Sequence, residues 1–411
     1  MARTLIGSLA VALASMLLFA GVAVAAPAMW APSGAADFSY GSPVDVAGGP
    51  ATGFKPESKL FVTPDNQWWA VLGNASGVAV YRLQDHGWTP VYQLPGSDPW
   101  EKADTVLSGS TLWVSLRDNR LTTDNPRRSR LYRLGYDGAG GWSATGPVVS
   151  ITTARPETVT IDLAANGRLW TAFILNGAIR VGRLAANGAS FAFATLPGVT
   201  APAPDDIAQV IAFTDAQGAK IGVLWSDQAT GRDLLAWRLA KSTRPPAEGW
   251  TVETAWGGGV GCSDPLCADD HLNAKAADGT LYAVVKTSLN DAASPDPGAP
   301  LIVVLRRSPT GSWTASTVST VAENSSRPVL VLAPSLDRMF VFAERNFQGT
   351  YMWDSSLSDP AFGAATPWTV SGVKPIGNPT ATKQPVDATT GLVVETSLGT
   401  THTYWHNELV P

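Results

Sequence analysis

Residues 158–173 carry Thr158-Val159-Thr160-Ile161-Asp162, a turn at Asn166-Gly167, and then Leu169-Trp170-Thr171-Ala172-Phe173. These are two short apolar strands joined by a turn. A third strand, Val181-Gly182-Arg183-Leu184, leads through another turn to Ser190-Phe191. The apolar runs are nearly continuous, as expected of a sheet covered on both faces.

The unit recurs along the chain. Its first pair is repeated as Lys59-Leu60-Phe61-Val62 with Trp68-Trp69-Ala70-Val71-Leu72, and as Val210-Ile211-Ala212-Phe213 with Ile221-Gly222-Val223-Leu224-Trp225. Another copy is Val329-Leu330-Val331-Leu332 with Met339-Phe340-Val341-Phe342. Its second pair recurs as Val80-Tyr81-Arg82-Leu83 before Gly87-Trp88-Thr89, Leu131-Tyr132-Arg133-Leu134 before Gly141-Trp142-Ser143, and Ala236-Trp237-Arg238-Leu239 before Gly249-Trp250-Thr251. Val304-Leu305-Arg306-Arg307 before Ser312-Trp313-Thr314 and Tyr351-Met352-Trp353 before Pro367-Trp368-Thr369 continue the series. A period of roughly 50–60 residues is the size of a four-stranded propeller blade. The expected fold is all-β, a single β-propeller.

The two ends of the chain complete the count. Val386-Asp387-Ala388, Leu392-Val393-Val394 and Thr403-Tyr404-Trp405 read as three strands without a fourth. Near the start, a lone strand at about residues 37–46, Phe38-Ser39-Tyr40-Gly41-Ser42-Pro43-Val44, has no inner partners. It fits as the outer strand of the last blade, which would remove the open edge of the ring. Six complete copies and one shared copy give seven blades, while six or eight would require one repeat to be misread.

Composition agrees with a β-rich core. Charged residues are 15% of the chain, against roughly 25% in ordinary globular proteins. There are 16 Trp, 39 Gly and 30 Pro, which suits many tight connections and excludes disorder for the bulk of the chain. The net charge of -5 and the lack of a basic stripe disfavour a nucleic-acid surface. Arg127, Arg128 and Arg130 form one basic cluster, expected to be a solvated loop.

Arg3, the apolar run Leu5–Val24 and the small-x-small Ala23-Val24-Ala25 read as an export signal over residues 1–25, leaving 26–411 as the propeller. Left uncut, the run is long enough to anchor the chain in a bilayer. The expected location is outside the cytoplasm, with no membrane contact after cleavage and a monomeric state. There Cys262 and Cys267 should form a disulfide closing a small loop. No cofactor motif is present, although the loop holding Asp291 and Asp296 offers oxygens that could hold Ca²⁺. His402 and His406 are spaced i, i+4 on a strand and are not expected to bind metal.

In a propeller the innermost strands line a central channel, and the loops leading into them gather at one mouth. Those loops carry Lys55, Glu57 and Lys59; Glu101, Lys102 and Asp104; Arg155 and Glu157; Asp205, Asp206 and Gln209; Arg327; and Lys383 with Gln384. The densest is Asp269-Asp270-His271-Leu272-Asn273-Ala274-Lys275, just after the cysteine loop. His271, Asn273 and Lys275 alternate, so they share one side of a strand, expected to face a wet channel. His271 is the expected general acid or base, oriented by Asp269 or Asp270. Arg155, Glu157, Asp206, Asn273, Lys275, Arg327 and Lys383 are the expected substrate contacts, the two arginines able to clamp a carboxylate. The opposing expectation is that these groups only fill the channel and set the blade spacing.

The blade pattern resembles that of sialidase-like, BNR-repeat propellers of secreted bacterial proteins. Ser308-Pro309-Thr310-Gly311-Ser312-Trp313 occupies the turn of that family's Ser-x-Asp-x-Gly-x-Thr-Trp box but lacks the Asp, and no three-arginine set with a Tyr–Glu pair is found. The segments 268–275, 382–386 and 403–407 also look like those of uncharacterised exported propellers. That likeness implies no particular reaction, and the first functional expectation is an enzyme acting on acidic extracellular saccharide, as hydrolase or lyase, with His271 at its centre. The alternatives are a non-catalytic module for glycan or for a cell-surface protein, and a purely structural envelope protein.

Overall fold

The computed structural model describes Ala31–Pro32, Phe38–Tyr40 and most of residues 52–410, leaving out 119–128, 200–201, 203–204, 229–233, 263–265, 371–375, 399–402 and a few single positions. The export segment, Arg127, Arg128 and His402 lie outside the described residues.

The chain forms seven antiparallel blades around one axis. The innermost strands, in chain order, are Leu60–Val62, Glu101–Ser108, Thr160–Leu163, Ala208–Asp215, Leu272–Ala277, Ser325–Ala333 and Ile376–Thr380. In blade 2 the outer position is shared by Trp142–Ala144 and Val149–Thr152, both paired with Ser129–Tyr136. Blade 7 closes as expected: Phe38–Tyr40 pairs with Thr403–Val410, setting Phe38 opposite His406 and Tyr40 opposite Tyr404, and Ala31–Pro32 extends the same edge. One strand differs from the expected pattern. The inner strand of blade 7 is Ile376–Thr380, whereas Val386–Ala388 lies outside any strand, with Val386 donating its N–H to Leu332.

The repeated arginine has a packing reason. It is the cross-strand partner of an aromatic residue on the second strand: Arg82 faces Trp69, Arg133 faces Trp113 and Arg183 faces Trp170. Each guanidinium lies over the partner ring, 5.9, 5.4 and 5.7 Å from its centroid. Such contacts contribute roughly 0.5–1 kcal/mol each where partly exposed. Buried aliphatic and aromatic side chains fill the spaces between blades.

An inner strand is the edge of its sheet, so its channel-side N–H and C=O groups need partners. Side chains of the neighbouring blade supply many of them. Ile161 N–H donates to Asp104 Oδ2 (2.8 Å), Ala212 N–H to Asp162 Oδ2 (2.7 Å), Ala274 N–H to Gln209 Oε1 (2.7 Å) and Leu330 N–H to Asn273 Oδ1 (3.2 Å). Between blades 7 and 1, Gln384 accepts from Val62 N–H at 2.8 Å and donates to Val62 O at 2.9 Å.

The axis is filled along part of its length. After Thr380 the chain runs beside the inner strand of blade 1, Thr382 bridging Leu60 in parallel. Lys383 Nζ crosses to Asp104 Oδ2 (2.5 Å) and Ile161 O (2.6 Å). Lys275 Nζ donates to the carbonyls of Leu330 and Thr382. Segment 381–384 is thus a plug, tied to blades 1, 2, 3 and 5.

Candidate functional site at the channel mouth

The Asp-Asp-His segment is built by three local constraints. Cys262 and Cys267 form a disulfide. Immediately after it, Ser288 Oγ donates to Ala268 O (2.7 Å) and Ser288 N–H to Leu266 O (2.9 Å), fastening the loop to the far end of the neighbouring strand. Asp269 then folds over its own backbone, its Oδ1 accepting the N–H of His271 at 3.1 Å, the local turn that aspartate favours. Lys286 N–H donates to His271 O (2.9 Å) and opens the blade 5 ladder.

His271 Nδ1 lies between two carboxylates, hydrogen-bonded to Asp269 Oδ1 and 2.8 Å from Asp270 Oδ1. Each carboxylate has its own lysine. Lys286 Nζ holds Asp269 Oδ2 at 2.6 Å and also donates to Thr287 O and Asn290 Oδ1. Lys55 Nζ reaches from blade 1 to Asp270 Oδ2 and to Glu157 Oε1 of blade 3, the latter at 2.6 Å. Nε2 of His271 makes no hydrogen bond to a described group, and the side chain keeps 13% of its surface accessible. The histidine is therefore fixed through Nδ1, while Nε2 is left without a hydrogen-bond partner among the described residues.

Charge follows geometry. Burial works against a charged His271, but the hydrogen bonds and charges of Asp269 and Asp270 outweigh it and raise its pKa. Burial would raise the Asp269 pKa, yet His271 and Lys286 together hold it well below the usual carboxylate range. The three potential ligand atoms of Asp269, Asp270 and His271 lie within 4.8 Å of one another. Lys55 and Lys286 already supply the counter-charge a cation would bring. The loop considered for Ca²⁺ uses Asp296 internally, its Oδ1 accepting Gly298 N–H at 2.9 Å.

The other expected residues divide into two sets. Glu157 joins the His271 group through Lys55, Arg155 stands half-buried two residues before it, and Arg327 is 36% exposed with Glu344 at 3.7 Å. The second set is sealed. Asn273 and Lys275 are 2% and 4% exposed, so the wet face expected for the alternating triad reaches only His271. The lysine's pKa falls to about 7 through burial and the charge of Lys383. Asp206, 1% exposed, accepts from Ser226 Oγ (3.1 Å) and Gln228 N–H (3.2 Å). Lys383 belongs to the plug, after its inner strand rather than before it. Glu57, Lys59, Glu101, Lys102 and Asp104, also expected at the mouth, are buried between blades, where Arg117 pairs with Glu57 (2.8 Å) and Arg130 with Glu101.

Lys286 and Glu344 are additions that the sequence pattern does not single out. Lys286 ends the second strand of its blade after Tyr282-Ala283-Val284-Val285, and Glu344 is the next-to-last residue of its strand after Phe340-Val341-Phe342-Ala343. A charge closing an otherwise buried strand needs a partner, and that signal is present in the sequence.

No protein-family model matches the chain, and no curated protein matches it. Among solved structures it is similar to AofleA from Arthrobotrys oligospora, with a TM-score of 0.51 and 9% identity over 79% of this chain and 89% of that one. It is also similar to a chain of the mitotic checkpoint complex, at 0.51 and 10% identity over 90% and 98%. An α-L-arabinanase from Penicillium chrysogenum complexed with arabinobiose matches at 0.47 and 10% identity, over 79% and 99%. What is shared is the fold. At such identities the likeness carries no chemistry, and the sialidase-like turn pattern has no family model behind it.

Proposed function

We propose that the channel mouth is a binding site for extracellular glycan and that His271 exchanges a proton with the bound saccharide through Nε2. The observation that carries this reading is the asymmetry of the imidazole: Nδ1 is anchored and Nε2 has no hydrogen-bond partner among the described residues. A group that is oriented by carboxylates and unbonded on its reactive side meets the geometric requirement for proton transfer. Its raised pKa favours the imidazolium, the form that gives a proton to a leaving oxygen. A polyhydroxylated ligand suits a mouth rimmed by charged donors and acceptors. The disulfide suits an oxidising compartment, which supports secretion.

One observation favours a second reading, binding without turnover. Glycoside hydrolysis commonly uses two carboxyl groups flanking the bond. Asp269 and Asp270 are both spent on His271 and lysines, and Glu157 is held by Lys55.

A polysaccharide panel separates these readings. Turnover that disappears in His271→Ala, with the circular dichroism spectrum retained, supports catalysis. Unsaturated products would mark a lyase and new reducing ends a hydrolase. Saturable binding without products supports the second reading. Turnover that survives His271→Ala removes the histidine from the chemistry.

A further inference from the structure

Eleven described residues other than glycine have φ between 48° and 61°. Nine are Asn, Asp or His, types that tolerate the left-handed region. The other two are Lys55 (φ 59°) and Arg327 (φ 55°). Both stand directly before a proline, Pro56 and Pro328, where extended backbone is favoured. Both sit at the channel mouth. At Arg327 the ladder between Ser325–Ala333 and Arg338–Arg345 shifts register between Ser326 and Val329, a bulge of the kind that re-aims a side chain. Backbone strain of this sort persists where surrounding structure enforces it, and it gathers at ligand sites.

The two strained cations are in different states. Lys55 is spent on Glu157 and Asp270. Arg327 makes no hydrogen bond to any described group, and its single ion pair, to Glu344 Oε2, spans 3.7 Å. Burial raises the Glu344 pKa, against the charges of Arg327 and His271 and the Asn378 N–H. A guanidinium presents five donors in a planar fork, matched to a carboxylate or another oxyanion.

We propose that Arg327 is the specificity residue of the mouth and that the glycan it selects is acidic, its anionic group replacing Glu344 on the guanidinium. This rests on the reading of the mouth as a glycan site. The strained, bulged corner fixes the backbone that carries the guanidinium before the ligand arrives, so less ordering remains for binding to supply.

Oligogalacturonate and its methyl ester, which share a backbone and differ in charge, are the probes. Wild-type protein should bind the acid at least about tenfold more tightly than the ester, the scale of a charge-assisted hydrogen bond. Arg327→Gln should bring the ratio to about one by weakening the acid alone, and Glu344→Gln should tighten the acid alone. Arg327→Gly relieves the strained φ and should unfold at no lower denaturant concentration than wild type while losing the preference. Equal binding of acid and ester by wild type, or a preference that survives Arg327→Gln, overturns this inference and leaves the glycan site standing. Wild-type protein that binds neither probe nor any saccharide of the panel overturns both.

Discussion

His271 reports its surroundings through its charge. A histidine whose folded pKa is raised contributes stability below its unfolded value near 6.5, and that contribution is lost as pH rises through the folded value. Asp269 is the reverse case: its contribution is present above the usual carboxylate range and lost as pH falls through its lowered value. The stability difference between wild type and His271→Ala should therefore be larger at pH 6 than at pH 9, measured by denaturant unfolding at both. A difference that grows toward pH 9 would mean the imidazole is not held by the carboxylates. Lys286→Met strands the mostly buried Asp269 and should cost about 2–4 kcal/mol, read as a lowered unfolding midpoint. The grouping of His271, Asp269 and Asp270 is legible in the sequence, because three adjacent polar residues beside a cysteine loop interrupt a chain that is otherwise poor in charge. Which nitrogen stays unbonded is not legible there, because it depends on how Lys286, on the neighbouring strand, and Lys55, from a distant part of the chain, hold the two carboxylates.

At the scale of the element, the segment that delivers His271 is held by a disulfide across a five-residue separation. Loop-closure entropy puts the stabilisation from so short a loop at about 2 kcal/mol. The double variant Cys262→Ser, Cys267→Ser should unfold at lower denaturant by that amount and keep its β-rich circular dichroism. Its saccharide binding should weaken as well, since Ala268 and Asp269 lie directly after Cys267. The inner strands account for the structural role of several expected contacts. Asn273 and Gln209 each satisfy the exposed edge of the next blade, a need that no local pattern reveals. Polar residues at equivalent points of a repeat read as a mouth, yet their first duty is to stitch one strand edge to the next. The same limit applies at Val386–Ala388, a segment that looks like a strand but is held by Val386 N–H to Leu332 O and by turn bonds around Asp387 rather than paired in a sheet.

Across the whole molecule, the ring is legible because each blade repeats the same spacing of apolar runs and turns, with Trp facing Arg across the second and third strands of the first three blades. The closure is legible because the final copy lacks an outer strand and the first residues offer one. That closure should matter physically. A chain beginning at about residue 47 leaves Thr403–Val410 unpaired on its outer edge, and an open edge invites association. Such a truncation should melt lower and elute partly as oligomers in size-exclusion chromatography, whereas an unchanged monomer would show that Phe38–Tyr40 is dispensable. The plug at 381–384 fills part of the axis, so the proposed ligand site lies at the mouth rather than in a through-channel. Long-range ¹H–¹⁵N correlation of His271, recorded before and after adding a saccharide that the protein retains, tests that placement most directly. The resonance of Nε2 should move on addition while Nδ1 keeps the shift of a nitrogen bonded to carboxylate. An Nε2 signal that ignores bound saccharide would contradict the placement of the site at this histidine.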